Sequence, residues 1–347
     1  MGKSPKRAAK LRSPFLYRLA RGLYIALFIL SLIVVVGFAA VNIFAPEPEV
    51  DSQVTINPNR PTDPSVPPVG TGQPDSSPEP TSDELVLNRR DGVFTCLLLG
   101  VADQGGTDTI MLGVFDTNAK QASLISIPRD TAVIYEGRKV KINAAYSYGG
   151  VEAVSSCVSS LLAVPIDYYM SVNTRAFRDI VNEIGGVDFY VPVDMYYNDP
   201  YGDIAINIKA GYHHLNGKQA EGVVRCRNCY ANADIGRAAT QRAFLTALVK
   251  QTITLSNVTK VTNLINILNT YVDSDMPLNV MVHFGTQAIG MDLEADLASA
   301  ALPGIWPSVQ DPYYYLYEDE TLELVNSLGI YEEEVPIEVL QLLPQGY

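Results

Sequence analysis

The run Gly22–Ala45, GLYIALFILSLIVVVGFAAVNIFA, extends for 24 residues without a formal charge. A helix needs about 20 such residues to cross roughly 30 Å of hydrocarbon. One membrane-spanning helix is therefore expected ahead of whatever folds after it. The preceding flank holds Lys3, Lys6, Arg7, Lys10, Arg12, Arg18 and Arg21 and no acidic residue. Positive flanks stay on the cytoplasmic side, which predicts a single-pass cell-membrane protein with its C-terminal bulk extracytoplasmic. A cleaved signal peptide would have an apolar core of only about 7–15 residues, so the length favours an uncleaved anchor.

Residues 46–84 read as a linker rich in Pro, Ser, Thr and Asp. With so few large apolar residues this stretch cannot bury a core and is expected to be a disordered tether. A folded domain is expected over 85–331, preceded by a basic cytoplasmic segment at 1–21 and followed by an acidic tail at 332–347. Within the domain, Phe94–Leu99, Ile110–Phe115, Ala122–Ile127, Tyr168–Val172, Val187–Val191 and Ile204–Ile208 are predicted strands. Val151–Leu162, Thr174–Ile184, Lys218–Val224, Asp234–Leu255, Val258–Leu268, Leu278–Ala298 and Glu320–Leu328 are predicted helices. The segment GYHHLNG, with His213 and His214, reads as a turn. Strands alternating with helices imply an α/β sandwich around a central sheet.

Charge narrows the function. The chain has 25 basic and 38 acidic residues, and setting aside the seven basic residues before Gly22 leaves 18 basic. That balance argues against nucleic acid as a partner and makes any local cluster of Arg informative. Sequence signatures of nucleotide-binding P-loops, HExxH metalloproteases and GxSxG hydrolases are absent. Cys96 and Cys157 fall in apolar patterns and read as buried thiols. Cys226 and Cys229 form a C-x-x-C that either closes a local disulfide or holds two incidental thiols; no second pair completes a zinc site.

Arg225, Arg227, Arg237 and Arg242 fall within 18 positions of this acidic chain. Asp234, Arg237 and Gln241 are spaced to share one helix face, with Asp234 also placed as a possible cap. Arg129 follows an apolar strand in SIPRDT, where a strand end presents side chains to a cleft. A salt bridge explains any single Arg more simply, but the set as a whole suits a phosphate or pyrophosphate, whose oxygens the guanidinium fork grips bidentately. Asp103 and Asp108 bracket the Gly-rich loop DQGGTDT. Hard oxygen ligands on such a loop suit Mg²⁺, which favours one or two carboxylates together with substrate phosphates.

At these residues the sequence resembles the LytR-CpsA-Psr family of bacterial cell-envelope proteins. The matching stretches, in order, are LLLGVADQGGTDTIML, SIPRDT, KINAAYSYGG, VPIDYYMSVNTRAFRDIVNEIGGVDFYVP, DMYYNDP, INIKAGYHHLNGKQA, VVRCR and DIGRAATQRAFL. The resemblance implies an α/β/α sandwich with a central mixed sheet and an apolar interior that accepts a polyprenyl chain. It implies transfer of a glycopolymer, teichoic-acid-like or capsular, from a polyprenyl pyrophosphate carrier to peptidoglycan, with Mg²⁺ at the pyrophosphate. Carried over, Asp108 and Asp103 are the metal ligands, and Arg129, Lys141, Arg225, Arg227, Arg237 and Gln241 contact the pyrophosphate. Asp234 orients those Arg side chains. Asp108, Arg129 and Asp234 form the expected catalytic set, with Asp108 or Asp130 taking the acceptor proton. Two positions depart from the family pattern: Val101-Ala102 precede Asp103, and Thr240 stands where many members have Arg, with Arg242 two residues further on. Hydrolysis of the same lipid pyrophosphate and non-catalytic lipid binding are the alternatives.

Overall fold

The computed structural model describes residues 47–56, 85–101, 106–198, 205–230, 234–252, 270, 272–288, 291–292, 295–308 and 310–346. The predicted anchor, most of the linker, Asp103 and the predicted helix Val258–Leu268 lie outside the described residues. No helix among those described is long and apolar enough to cross a membrane. The chain divides into two units, Met1–Pro48 with Leu278–Thr286 and Glu49–Pro277 with Gln287–Tyr347. The described part of the first is essentially one helical segment, and the central sheet belongs to the second.

The strands, in chain order, begin with β1 (Gln53–Ile56), β2 (Leu85–Asn88), β3 (Val93–Val101), β4 (Thr107–Asp116), β5 (Gln121–Ser126), β6 (Ala132–Tyr135) and β7 (Arg138–Lys141). Helix α1 (Ile142–Leu162), β8 (Tyr168–Asn173), α2 (Thr174–Glu183), β9 (Val187–Val191), β10 (Met195–Asn198), β11 (Ala205–Ile208) and β12 (Gly211–Leu215) come next. Then come α3 (Gly217–Arg225), α4 (Asp234–Thr252), β13 (Val272–Ser274), α5 (Leu278–Ala288), β14 (Leu297–Ala301), β15 (Gly304–Ile305), β16 (Tyr315–Leu316) and α6 (Glu318–Ser327).

Six strands make the central sheet, in the order β13-β8-β3-β4-β5-β14. It is mixed: β3, β4 and β5 run antiparallel in succession, while β8 lies parallel to β3 and β14 parallel to β5. The central strands are apolar on both faces, as strands covered on both sides must be. Leu97 and its register partners Tyr169 and Leu112 face one way, toward Val154, Val158 and Leu161 of α1. Leu98, Met170 and Met111 form the alternate row, facing the other way. A second apolar cluster joins α2, β9, β11, α3 and α4 through Val181, Phe189, Ile206, Val223 and Phe244. The result is an α/β sandwich with the mixed sheet between helical layers, as expected.

Several local expectations are corrected. The predicted helix Leu278–Ala298 stops at Ala288, and Leu297–Ala301 is a strand on the sheet edge. Alanine favours helix, but the open edge of β5 supplies hydrogen-bond partners that override a weak local preference. GYHHLNG is a strand, β12, paired antiparallel with β9. Its turn-like residues stand at the two ends: Gly211 opens the strand, and Asn216 caps α3 through a capping box with Gln219. Helix α1 starts at Ile142, ahead of the predicted Val151, and bends at Gly149 and Gly150; Gly150 has φ +66°. Inside the expected tether, β1 pairs with β2 and buries Val54. Downstream of α6, Val335, Val339 and Leu340 join the core on the α1 side.

Candidate functional site

Helix α4 carries Arg237, Gln241, Phe244, Leu245 and Leu248 along one stripe. The spacing i, i+4, i+7, i+8, i+11 keeps them on one face. The stripe is polar in its first turns and apolar beyond. It faces Leu98, Met111, Met170 and Val172 of the sheet, and Phe177 of α2 closes the same space. Together they line a largely apolar cavity of about 570 Å³, with Asp108, Arg225, Arg227 and Arg237 among its polar lining. Phe177 and Phe189 both pack on Phe244, with centroids 5.6 and 5.2 Å away, so the apolar part of the stripe is held firmly.

A second pocket of about 120 Å³ adjoins the first. Asp108, Thr109, Arg237 and Gln241 line both and form a seam between them. Beyond the seam the small pocket is lined by Arg129, Asp130, Arg242, Trp306 and Tyr314. The Trp306 and Tyr314 rings pack at 4.4 Å, and burial pushes the Tyr314 hydroxyl up to about 12 while it donates to the Leu302 carbonyl.

Asp108, at the start of β4, is half exposed and accepts a hydrogen bond from Arg129 Nη1 at 2.5 Å. Arg129 sits in the turn after β5, where Thr131 N–H donates to the Pro128 carbonyl. Lys141 lines neither pocket; its Nζ pairs with Asp130 at 3.0 Å and so backs the small pocket from behind. Arg237 is buried at the seam, and Gln241 Nε2 donates to the Val224 carbonyl at 3.0 Å, tying α4 to α3. Asp234 begins α4, one turn ahead of Arg237.

Arg225 is held by a carboxylate that no sequence motif singles out. Glu221, buried within α3, accepts from Arg225 Nη1 at 2.7 Å and from Arg178 Nη1 at 3.2 Å. The i, i+4 spacing of Glu221 and Arg225 is a readable signal for that pair; Arg178 comes from α2 and carries none. Arg227 lies on an exposed loop between Cys226 and Cys229, which form a disulfide. The open alternative at this C-x-x-C thus resolves as a closed loop that carries a cavity-lining Arg. Cys96 and Cys157 are free thiols whose pKa burial raises, Cys157 to about 12; Cys157 is buried in the core as expected, whereas Cys96 is only half-buried.

Thr240 turns away from this cleft. Its hydroxyl lies 2.6 Å from the Tyr230 hydroxyl, and it lines a groove with Tyr190 and Ala243 on another face of α4. Arg242 instead reaches the small pocket.

For the metal, no group of three or more His, Cys, Asp or Glu gathers among the described residues. A half-exposed carboxylate at an Arg-lined seam does fit Mg²⁺, which keeps several waters and takes much of its coordination from substrate phosphates.

The fold and site define the class: an α/β sandwich whose largely apolar cavity borders an arginine-lined polar pocket. The chain belongs to the LytR_cpsA_psr family, whose pattern matches residues 70–328. It is 35% identical over 190 residues to the polyisoprenyl-teichoic acid–peptidoglycan teichoic acid transferase TagV of Bacillus subtilis (strain 168), covering 51% of this chain and 48% of that one. The chain thus spans about half the length of that relative. It is 30% identical over 260 residues to the similarly named transferase TagU of Bacillus cereus, covering 73% of this chain and 83% of the relative. Among solved structures, that of B. subtilis TagV superposes with a TM-score of 0.62 at 27% identity, covering 71% of this chain and all of that one. TagT bound to LIIa-WTA superposes with a TM-score of 0.56 at 25% identity, covering 69% and 90%.

Proposed function

We propose that this chain is a membrane-anchored extracytoplasmic phosphotransferase that moves a glycopolymer from a polyprenyl pyrophosphate carrier to peptidoglycan. The observation that carries the reading is the adjacency of the two pockets, which share Asp108, Thr109, Arg237 and Gln241. A ligand with a long apolar chain ending in a pyrophosphate has the polarity profile of the path from Leu248, past Arg237, to Arg129. The names of the TagV and TagU relatives support the same chemistry.

In this reading Arg129, Arg225, Arg227, Arg237 and Gln241 bind and orient the pyrophosphate, and Lys141 holds Asp130 in place. Asp234 would orient those Arg side chains. Asp108, with Asp103, would hold Mg²⁺, which supplies charge neutralisation at the phosphate oxygens. An acceptor hydroxyl attacks the sugar-side phosphorus. A new O–P bond forms, the bridging P–O bond breaks, and the lipid departs as polyprenyl monophosphate. The hydroxyl proton passes to a carboxylate, Asp108 or Asp130. The apolar cavity excludes water behind the leaving group, where preorganised guanidinium charge acts most strongly.

The test is transfer of a labelled glycan from its polyprenyl pyrophosphate to peptidoglycan, with and without Mg²⁺. Wall-linked label should need the metal and fall about 100-fold or more in Arg129→Ala, the scale for losing one preorganised charge donor. Absence of any transfer would overturn the reading. Free glycan phosphate as the sole product would make the protein a hydrolase, and lipid binding without turnover would make it a carrier-binding regulator.

A further inference from the structure

We infer that Arg242 grips the sugar-side phosphate of the donor, in the small pocket beyond the Asp108–Arg237–Gln241 seam. The inference rests on the donor reading above and adds to it an order along the ligand.

The Arg242 side chain makes no hydrogen bond or ion pair with any described residue. This is unusual company for a cation in a chain with 38 acidic residues. Nearby cleft arginines are engaged: Arg129 with Asp108, and Arg225 with Glu221. Arg242 is also partly buried, and desolvation pulls its pKa below the usual guanidinium value. A guanidinium stays charged at neutral pH regardless, so the fold bears part of the cost of desolvating a charge and gives it no side-chain partner among the described residues. A ligand that brings an anion offsets that cost on binding.

Local geometry says where the anion sits. Ala238 and Arg242 are one helical turn apart on α4 and both line the small pocket, so the small side chain leaves room that the long one overlooks. Trp306 and Tyr314 wall the pocket. Its volume of about 120 Å³, against about 570 Å³ next door, suits a phosphoryl group rather than a lipid chain. With the chain in the apolar cavity, the lipid-side phosphate meets Arg237 and Gln241 at the seam. The next phosphate then falls beside Arg129 and Arg242. After transfer that phosphate leaves with the glycopolymer. The lipid monophosphate left behind lacks the group Arg242 holds, so Arg242 favours donor over by-product.

Calorimetric titration of the full-length protein in detergent, with geranylgeranyl pyrophosphate and geranylgeranyl monophosphate in Mg²⁺ buffer, tests this. Wild type should bind the pyrophosphate more tightly. Arg242→Gln should weaken pyrophosphate binding about 10-fold or more, the scale of a charge-assisted contact, and leave monophosphate binding unchanged. Arg242→Lys, which keeps the charge but not the fork, should fall between. Trp306, the sole Trp in the chain, reports locally: its emission should respond to the pyrophosphate more than to the monophosphate. Unchanged pyrophosphate affinity in Arg242→Gln, or equal loss for both ligands, overturns the inference while leaving the donor reading standing. Binding of neither lipid by wild type overturns both.

Discussion

Asp167 is the most heavily bonded buried carboxylate in the described structure outside the cleft. Both Arg89 Nη atoms donate to it, and it also accepts from the Thr95 backbone N–H and the Thr95 hydroxyl. Neither Arg89 nor Asp167 is more than 9% exposed. Removing one partner strands a buried charge, so Arg89→Leu should cost about 3–5 kcal/mol in urea unfolding. Pairing it with Asp167→Leu should recover part of that loss, since the stranded charge is then gone. At the surface, His214 behaves in the opposite way. Its Nδ1 faces Asp188 at 2.7 Å and its Nε2 faces the Gly185 carbonyl at 2.8 Å, an arrangement that only the doubly protonated ring satisfies. Its pKa is accordingly raised above the ordinary 6.5, first by the Asp188 hydrogen bond. A group raised on folding adds stability below its unfolded pKa and loses it as pH climbs through the folded one. The melting-temperature gap between wild type and His214→Gln should therefore be widest near pH 5.5 and close above neutrality.

At the scale of elements, close backbone approaches set the helix layer over the cleft. A Cβ on Gly217 would lie 2.3 Å from the Arg178 carbonyl oxygen, a main-chain atom of α2 that cannot swing aside. Gly217→Ala should push α3 off α2 and cost about 1–3 kcal/mol in denaturant unfolding, the range for overpacking. It should also weaken donor binding, because Glu221 and Arg225 ride on α3. Such positions explain what the sequence did and did not reveal. Strands β3, β4, β5 and β8 were legible because each is an apolar run bounded by polar turns. The stripe Arg237–Gln241 was legible because helical period alone brings those residues together. Strand β14 was not, since LASAA has no strand character of its own and is recruited by the edge of β5. Nor was the β6–β7 hairpin, whose turn places Glu136 and Gly137 at positive φ without the usual Asn-Gly signal. The Arg178–Glu221 contact depends on how two helices pack, which no local pattern encodes.

For the molecule as a whole, the apolar cavity makes a graded prediction. Each methylene buried contributes about 0.8 kcal/mol, so affinity for polyprenyl pyrophosphates should rise with chain length and level off once the space is filled. Val172→Trp, which narrows the cavity from the sheet side, should bring that plateau to shorter chains while leaving the shortest pyrophosphates unaffected; calorimetry across a length series reads both. The sheet that walls this cavity is completed late in synthesis. Strand β14 meets β5 through pairs such as Leu297 with Ala122, about 175 residues apart. A chain emerging at about 5–20 residues per second would leave the outer edge of β5 without its neighbour for roughly 9–35 s. An open edge of that kind is a template for pairing with other chains. A variant truncated before Leu297 should therefore self-associate at concentrations where the intact chain does not, which light scattering would read.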